Sequence, residues 1–227
     1  MPSVLVTGAS RGIGLEFARQ YAADGWQVYA ACRDPAAAKA LGALDGRVSV
    51  HALEVSDRAS VRRLALGLAG EPIDVLINNA AIYGPRANRL GAIDYAGWED
   101  TLRVNLLGPF AVAESLVDNV AKSARKTMVA LSSRMGSISL APSSTEIPYN
   151  TSKVALNMAV KCLALQLKER GIISIAITPG WVRTDMGGPQ AALSVEESVS
   201  GMRGVIARLT PADSGRFFGH DGSLVPW

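Results

Sequence analysis

The chain has 227 residues, of which 48% are hydrophobic and 19% charged, so a sizeable core is available and the disordered class is excluded. Twenty-three basic residues stand against 20 acidic ones, and the excess of +3 is scattered rather than gathered in a stripe, so nucleic acid is not an expected partner. The two cysteines, Cys32 and Cys162, are too few for a disulfide framework, and each sits in an apolar run that reads as a buried thiol. His51 and His220 lie far apart without Cys, His or Asp at ligand spacing, so no metal site is expected. The longest uncharged stretch, Gly171–Val182, is interrupted by Pro179 and Gly180 and is shorter than the about 20 residues a membrane-spanning helix needs. The N-terminus has neither the basic nor the long apolar region of a signal peptide, which leads us to expect a cytoplasmic protein forming one domain over residues 1–227.

In chain order, the pattern predicts a strand at Val4–Thr7, a glycine-rich turn and a helix at Ile13–Ala23 stopped by Gly25. Strands follow at Val28–Cys32 and Val48–Leu53, then a helix at Arg58–Leu68 opened by Ser56 and Asp57. Val75–Asn78 reads as a strand and Trp98–Lys122 as a long helix bent by Pro109. Thr127–Leu131 is a strand, Tyr149–Arg170 a second long helix ended by Gly171, and Ser174–Thr178 a strand. Val195–Arg208 is the last helix, followed by an edge strand near Arg216–Gly219. Several strands, such as Val4-Leu5-Val6 and Ile175-Ala176-Ile177, are continuously apolar, the signature of a parallel sheet covered on both faces. The alternation of strands and helices therefore predicts an α/β fold: a Rossmann-type, doubly wound parallel sheet flanked by helices. The least regular stretches, Tyr83–Gly97, Gly136–Pro148 and Gly187–Ser194, all follow strands, where such a sheet keeps its ligand crevice.

Five clusters fall at the expected ends of strands. The first, Thr7-Gly8-Ala9-Ser10-Arg11-Gly12-Ile13-Gly14, joins the first strand to the first helix. Glycines there permit a tight turn and bring a pyrophosphate close to the free N–H groups of the helix N-terminus, although an ordinary glycine turn has the same composition. The second strand ends in Arg33-Asp34. An arginine at this tip pairs with the 2′-phosphate of NADP, whereas an acidic residue accepts from the 2′-hydroxyl of NAD, and Arg11, in the nearby glycine loop, can share the phosphate. Polar tips recur at Asn78-Asn79-Ala80-Ala81, at Ser132-Ser133 and at Pro179–Thr184. Finally, Tyr149 and Lys153 are four apart on a helix and so share one face.

Taken together and in order, T-G-x-x-x-G-x-G, N-N-A, the strand-end serine, Y-x-x-x-K and P-G-x-x-x-T make the chain resemble the short-chain dehydrogenase/reductase family along nearly its whole length. Asn105–Phe110, Pro179–Gly188 and Asp221–Trp227 are similar to the C-factor/sniffer-like carbonyl reductases within it. The resemblance implies NADP(H) as the preferred cofactor, with NAD(H) as the alternative, and a small carbonyl or alcohol substrate. It implies Tyr149 as general acid, with its phenol pKa lowered by the Lys153 ammonium and by the oxidised nicotinamide. Lys153 also holds the nicotinamide ribose, Ser133 orients the substrate oxygen, and Asn105 supports a water-linked proton relay. Cofactor contacts are implied for Gly8, Ser10, Arg11, Gly12, Ile13, Gly14, Arg33, Glu54, Val55, Asn79, Ala80, Ala81, Tyr149, Lys153, Pro179, Gly180, Val182 and Thr184, the last at the carboxamide.

Three positions depart from the family pattern. The spacing from Ser133 to Tyr149 is enlarged, which leaves Ser132 as a second candidate serine; Glu54 stands where aspartate is usual; and Ala81 replaces a glycine. Tyr83, Met135, Ile147, Trp181 and Met186 are candidates for the substrate wall. Both long helices are apolar around much of their circumference, which predicts a homodimer or homotetramer. The competing reading of the same residues is a regulatory or signalling protein that binds NAD(P) without turnover.

Overall fold

The computed structural model describes residues 1–86, 89–141 and 145–227. Its strands are β1 (Ser3–Thr7), β2 (Gln27–Cys32), β3 (Arg47–Ala52), β4 (Val75–Asn78), β5 (Thr127–Leu131), β6 (Ile173–Thr178) and β7 (Phe217–Gly219). The helices are α1 (Gly12–Ala23), α2 (Lys39–Gly42), α3 (Arg58–Gly67), α4 (Tyr95–Leu102), α5 (Gly108–Ala121), α6 (Ile147–Gln166) and α7 (Val195–Arg208). The strands form one parallel sheet in the order β3-β2-β1-β4-β5-β6-β7. This is the doubly wound arrangement the apolar strand pattern predicts, with the order reversing between β1 and β4.

The alternation of side chains along each strand divides the core. Val4, Val6, Val28, Ala30, Ile175 and Ile177 face α1 and α7 through Phe17, Val199 and Met202. Leu5, Leu76 and Met128 face α3 and α5 through Leu64, Val112 and Leu116. Every residue of β1, β4, β5 and β6 is buried, which is why these strands lack polar alternation. β3, an outer strand, is only partly covered.

Three sequence expectations need correction. The helix expected over Trp98–Lys122 is α4 and α5 joined by a π-turn at Arg103–Leu107. Pro109 has no N–H to close the ordinary bond to the Asn105 carbonyl, and the Gly108 N–H instead reaches back five residues to the Arg103 carbonyl. The helix expected over Tyr149–Arg170 begins two residues earlier, with Pro148 in its first turn, and its last turn tightens into a 3-10 segment at Lys168–Arg170 before Gly171. Cys162 is exposed, not buried: α6 seats Leu156, Val160 and Ala164 inward, which turns Met158, Cys162 and Leu165 outward. Cys32 is buried as expected. Of the irregular stretches, residues 87–88 and 142–144 lie outside the described residues, and α4 begins inside the first. Among the described residues no helix is long and apolar enough to cross a membrane.

Candidate active site

A cleft of about 740 Å³ runs along the C-terminal ends of the strands, within the size range of small-molecule sites. Its floor is the turn between β1 and α1. Gly8 and Gly12 have positive φ (66° and 52°), a Cβ on Gly8 would stand 2.9 Å from the Ala80 Cα, and one on Gly14 would overlap the Gly8 carbonyl oxygen. No side chain caps the first turn of α1 and no acidic residue lies in it, so its N–H groups and dipole present positive charge to the cleft. This cradle fits a pyrophosphate. The Asn79 amide locks it, donating to the Thr7 and Gly8 carbonyls at 2.9 and 3.1 Å, while the Thr7 hydroxyl accepts from the N–H groups of Asn79 and Ala80. Asn79 thus lines the cleft with its amide committed to backbone.

At one end of the cleft, Arg33 is exposed at the tip of β2 and forms no ion pair among the described residues. The neighbouring Asp34 is turned away: its carboxylate accepts from the Ala36 and Ala37 N–H groups at 3.0 and 3.2 Å and does not line the cleft. Arg11 crosses to Asp185, 2.9 Å away on the loop after β6, in a pair exposed on both sides. The Glu54 carboxylate folds back to accept from the Ser56 N–H and hydroxyl. Val55 lines the cleft beside it and packs so close to Gly108 that a Cβ there would meet it at 3.0 Å.

At the other end, α6 presents Tyr149 and Lys153 to the tips of β4 and β5. Tyr149 is buried, its hydroxyl hydrogen-bonded to Ser133. Burial pushes the Tyr149 phenol up to about 12, opposed by the Ser133 bond and reinforced by the nearby Tyr83. Burial pulls Lys153 down to about 8, and its Nζ donates to the Leu131 carbonyl at 2.8 Å, 5.6 Å from the Tyr149 ring centre. The sequence reading expects the Lys153 ammonium and the oxidised nicotinamide together to lower the phenol; from the protein's own groups, burial is the largest influence and raises it. The two serines have different partners: Ser132 lines the cleft but its hydroxyl donates to the Asn157 Oδ1 at 2.6 Å, whereas Ser133, outside the cleft lining, reaches Tyr149.

Asn105 is fully buried in the π-turn. Its Nδ2 donates to the Ile82 carbonyl and the Ser152 hydroxyl at 2.8 and 3.0 Å, and its Oδ1 accepts from the Ile82 N–H at 2.9 Å. It ties the segment after β4 to α6, and the next residue, Tyr83, stacks on Tyr149 with ring centres 4.6 Å apart and planes 12° apart. The Arg86 guanidinium lies 4.3 Å over the outer face of Tyr83.

The loop after β6 forms the rim. Pro179, Thr184 and Met186 line the cleft, and a Cβ on Gly12 would stand 3.5 Å from the Thr184 methyl. Gly180 and Val182, expected at the cofactor, do not line it. A Cβ on Gly180 would meet Leu193 at 2.7 Å, and Val182 is buried where the loop pairs back on Leu193. Trp181 is 58% exposed and donates to the Gly187 carbonyl, so it braces the loop from outside. Met135 and Ile147 also stand off the cleft lining. Sequence reasoning missed Asp100, Arg103 and Val104, which line the cleft, Asp100 from α4 and the other two from the π-turn. It also missed Asp185, whose signal was a carboxylate opposite the glycine-loop arginine.

The short chain dehydrogenase family model matches residues 2–192. The chain belongs to that family. This short-chain dehydrogenase is 41% identical to the C-signal protein of Myxococcus xanthus over 167 residues, which are 74% of this chain and 100% of that protein. Its fold superposes on the carbonyl reductase Sniffer of D. melanogaster with a TM-score of 0.93 at 30% identity, covering 100% of both chains. It superposes on the NADPH-bound carbonyl reductase from chicken fatty liver with a TM-score of 0.92 at 33% identity, covering 100% of this chain and 99% of the other.

Proposed function

We propose that this short-chain dehydrogenase is a cytoplasmic, NADPH-dependent reductase of ketones or aldehydes. The observation that carries the reading is the pair Tyr149 and Lys153, with Ser133 against the Tyr149 hydroxyl, at one end of a cleft whose other end carries Arg33. The NADPH-bound relative of the same fold supports the cofactor. Gly8, Ser10, Gly12, Ile13 and Gly14 would hold the pyrophosphate, Arg33 the 2′-phosphate, Glu54 and Val55 the adenine, and Lys153 and Thr184 the nicotinamide half. Bound NADPH supplies the hydride. Ser133 and Tyr149 hydrogen-bond the carbonyl oxygen, and Tyr149 gives it a proton as negative charge develops there. Tyr83 covers the Tyr149 ring and keeps water from it. Asn105 acts through Ile82 and Ser152, holding Tyr83 and α6 in register.

The test is to mix the protein with NADPH or NADH and a panel of aldehydes and ketones and follow the loss of reduced-nicotinamide absorbance. Turnover preferring NADPH supports the reading; tight NADPH binding without turnover on any carbonyl favours a binding-only protein. Identity to the C-signal protein is what gives that second reading its weight.

The buried acid and base set an expected pH dependence. Tyr149, at about 12, stays protonated through the neutral and mildly alkaline range. Lys153, at about 8, loses its charge first. Reduction is therefore expected to hold steady below about pH 8 and to decline above it with a single titration, while the reverse oxidation rises with pH. A rate–pH profile checks this, and reduction unchanged up to pH 10 would remove Lys153 from the mechanism. Stability moves the other way. Between about 8 and the ordinary lysine value of 10.5 the unfolded chain holds a proton the folded one lacks, so Lys153 makes the fold more stable as pH rises through that window.

The subunit state follows from the outer faces of α5 and α6. Met158 and Leu165 are 64% and 66% exposed on α6, with Leu107 exposed just before α5. We expect these faces to pair in a homodimer or homotetramer. Light scattering at micromolar concentration reads the mass directly, and a monomer would overturn this expectation.

A further inference from the structure

We infer that Trp227 is a positioning residue for the reductase site: the strap Ser223–Trp227 latches the loop that carries Ser133. The inference rests on the reading of Ser133 as part of a reductase. The strap begins at the outer edge of the sheet, where β7 is paired with β6 on one side only. On the free side Leu224 bridges Phe218 in the antiparallel sense, the Val225 N–H donates to the Phe217 carbonyl at 2.9 Å, and the Gly219 N–H donates to the Ser223 carbonyl at 2.7 Å. Pro226 has no N–H and favours extended backbone before it, so the pairing ends there and the chain runs on past the edge. Trp227 then stacks on Phe217, ring centres 5.6 Å apart and planes at 21°.

Its main-chain oxygen is the point of contact with the site loop. It accepts from the Ser137 hydroxyl at 3.2 Å, the Ser139 hydroxyl at 3.2 Å and the Ser139 N–H at 3.4 Å. These serines directly follow the 3-10 turn Arg134–Gly136, which is capped at its start by the Ser133 hydroxyl. The inner side of that turn is fixed to α6: the Gly136 carbonyl accepts from Asn157 at 2.9 Å, and a Cβ on Gly136 would stand 2.8 Å from that of Lys153. The turn therefore sits between two supports. One is α6, which carries Tyr149 and Lys153. The other is the strap, which holds the stretch leading into the enlarged loop before Tyr149. Releasing the strap frees the turn on its outer side, and Ser133 moves with it. Trp227 is 41% exposed, so the fold does not depend on its ring for a core.

The experiment compares the full-length protein with Trp227→Ala and Trp227→Phe. Amide hydrogen exchange is read without substrate, NADPH affinity by fluorescence titration, and turnover on 4-nitrobenzaldehyde or the best carbonyl of the panel. In Trp227→Ala, exchange in the Ser133–Leu140 segment is expected to quicken by about tenfold or more while β1, β4 and α1 keep their protection. kcat should fall by about tenfold while the dissociation constant for NADPH changes less than about twofold, because the turn does not touch the cofactor cradle. Trp227→Phe keeps a ring on Phe217 and is expected to restore both. Unchanged exchange in that segment, exchange that quickens evenly along the chain, or local quickening with kcat intact would each overturn the inference. If the parent protein turns over no carbonyl, the reductase reading fails on its own, and the exchange pattern still decides whether the strap holds the loop.

Discussion

Tyr149→Phe is expected to lower carbonyl turnover by about a hundredfold to ten-thousandfold, the range in which a positioned general acid contributes. NADPH binding should stay within about threefold of the parent, because Asn79, Thr7 and the glycine cradle are untouched. The change is also structurally mild. Phenylalanine keeps the stack with Tyr83, and it loses one hydrogen bond, to Ser133. In a buried setting that bond is worth about 1 kcal/mol, offset in part because the hydroxyl no longer has to be desolvated. Turnover and stability should therefore separate: a large loss in rate beside a thermal midpoint within a few degrees. Of the neighbouring donors, Ser132 is already committed to Asn157, and one of the three Lys153 N–H donors goes to the Leu131 carbonyl. Retention of most of the activity in Tyr149→Phe would mean that the proton comes from elsewhere and that the Tyr149 assignment is wrong.

The features legible in the sequence are those set by local rules. Continuous apolar runs mark buried parallel strands, and all of β1, β4, β5 and β6 obey this. The glycine loop was legible because a tight turn between strand and helix admits few residues, and Gly14 is pressed against Gly8 accordingly. What escaped reading depends on contacts distant in sequence. Pro109 signalled a disturbed helix, but a π-turn that turns Arg103 and Val104 to the cleft requires knowing where Asn105 finds its partners, and those are Ile82 and Ser152. The exposure of Cys162 was hidden because α6 is apolar on more than one side, so composition did not say which stripe meets the sheet. The depth at which Tyr149 is buried, which raises its phenol, is likewise invisible in a Y-x-x-x-K spacing.

Arg33→Ala is expected to weaken NADPH binding by about tenfold to a hundredfold and to leave NADH almost unchanged. A charge-assisted hydrogen bond is worth about 1.5–3 kcal/mol, and each 1.4 kcal/mol is a factor of ten in affinity. The selectivity of the loss follows from the chemistry: only NADPH carries the 2′-phosphate, so only it loses a partner. Position supports the assignment. Arg33 stands at the tip of β2 with no competing ion pair among the described residues, and the adjacent Asp34 is spent on the Ala36 and Ala37 N–H groups. Arg11 is the second candidate cation, but it is held by Asp185 across the cleft. Arg11→Ala should therefore cost NADPH less than Arg33→Ala does, and Asp185→Ala, which frees Arg11, should tighten NADPH rather than weaken it. Because Arg33 is exposed, its contribution should shrink as salt rises, with the NADPH-to-NADH affinity ratio of the parent falling toward that of the variant. Isothermal titration of both cofactors at low and high salt reads all of these terms together. Equal losses for NADPH and NADH in Arg33→Ala would place Arg33 at the shared part of the cofactor instead, and the preference for NADPH would then have to come from Arg11 alone.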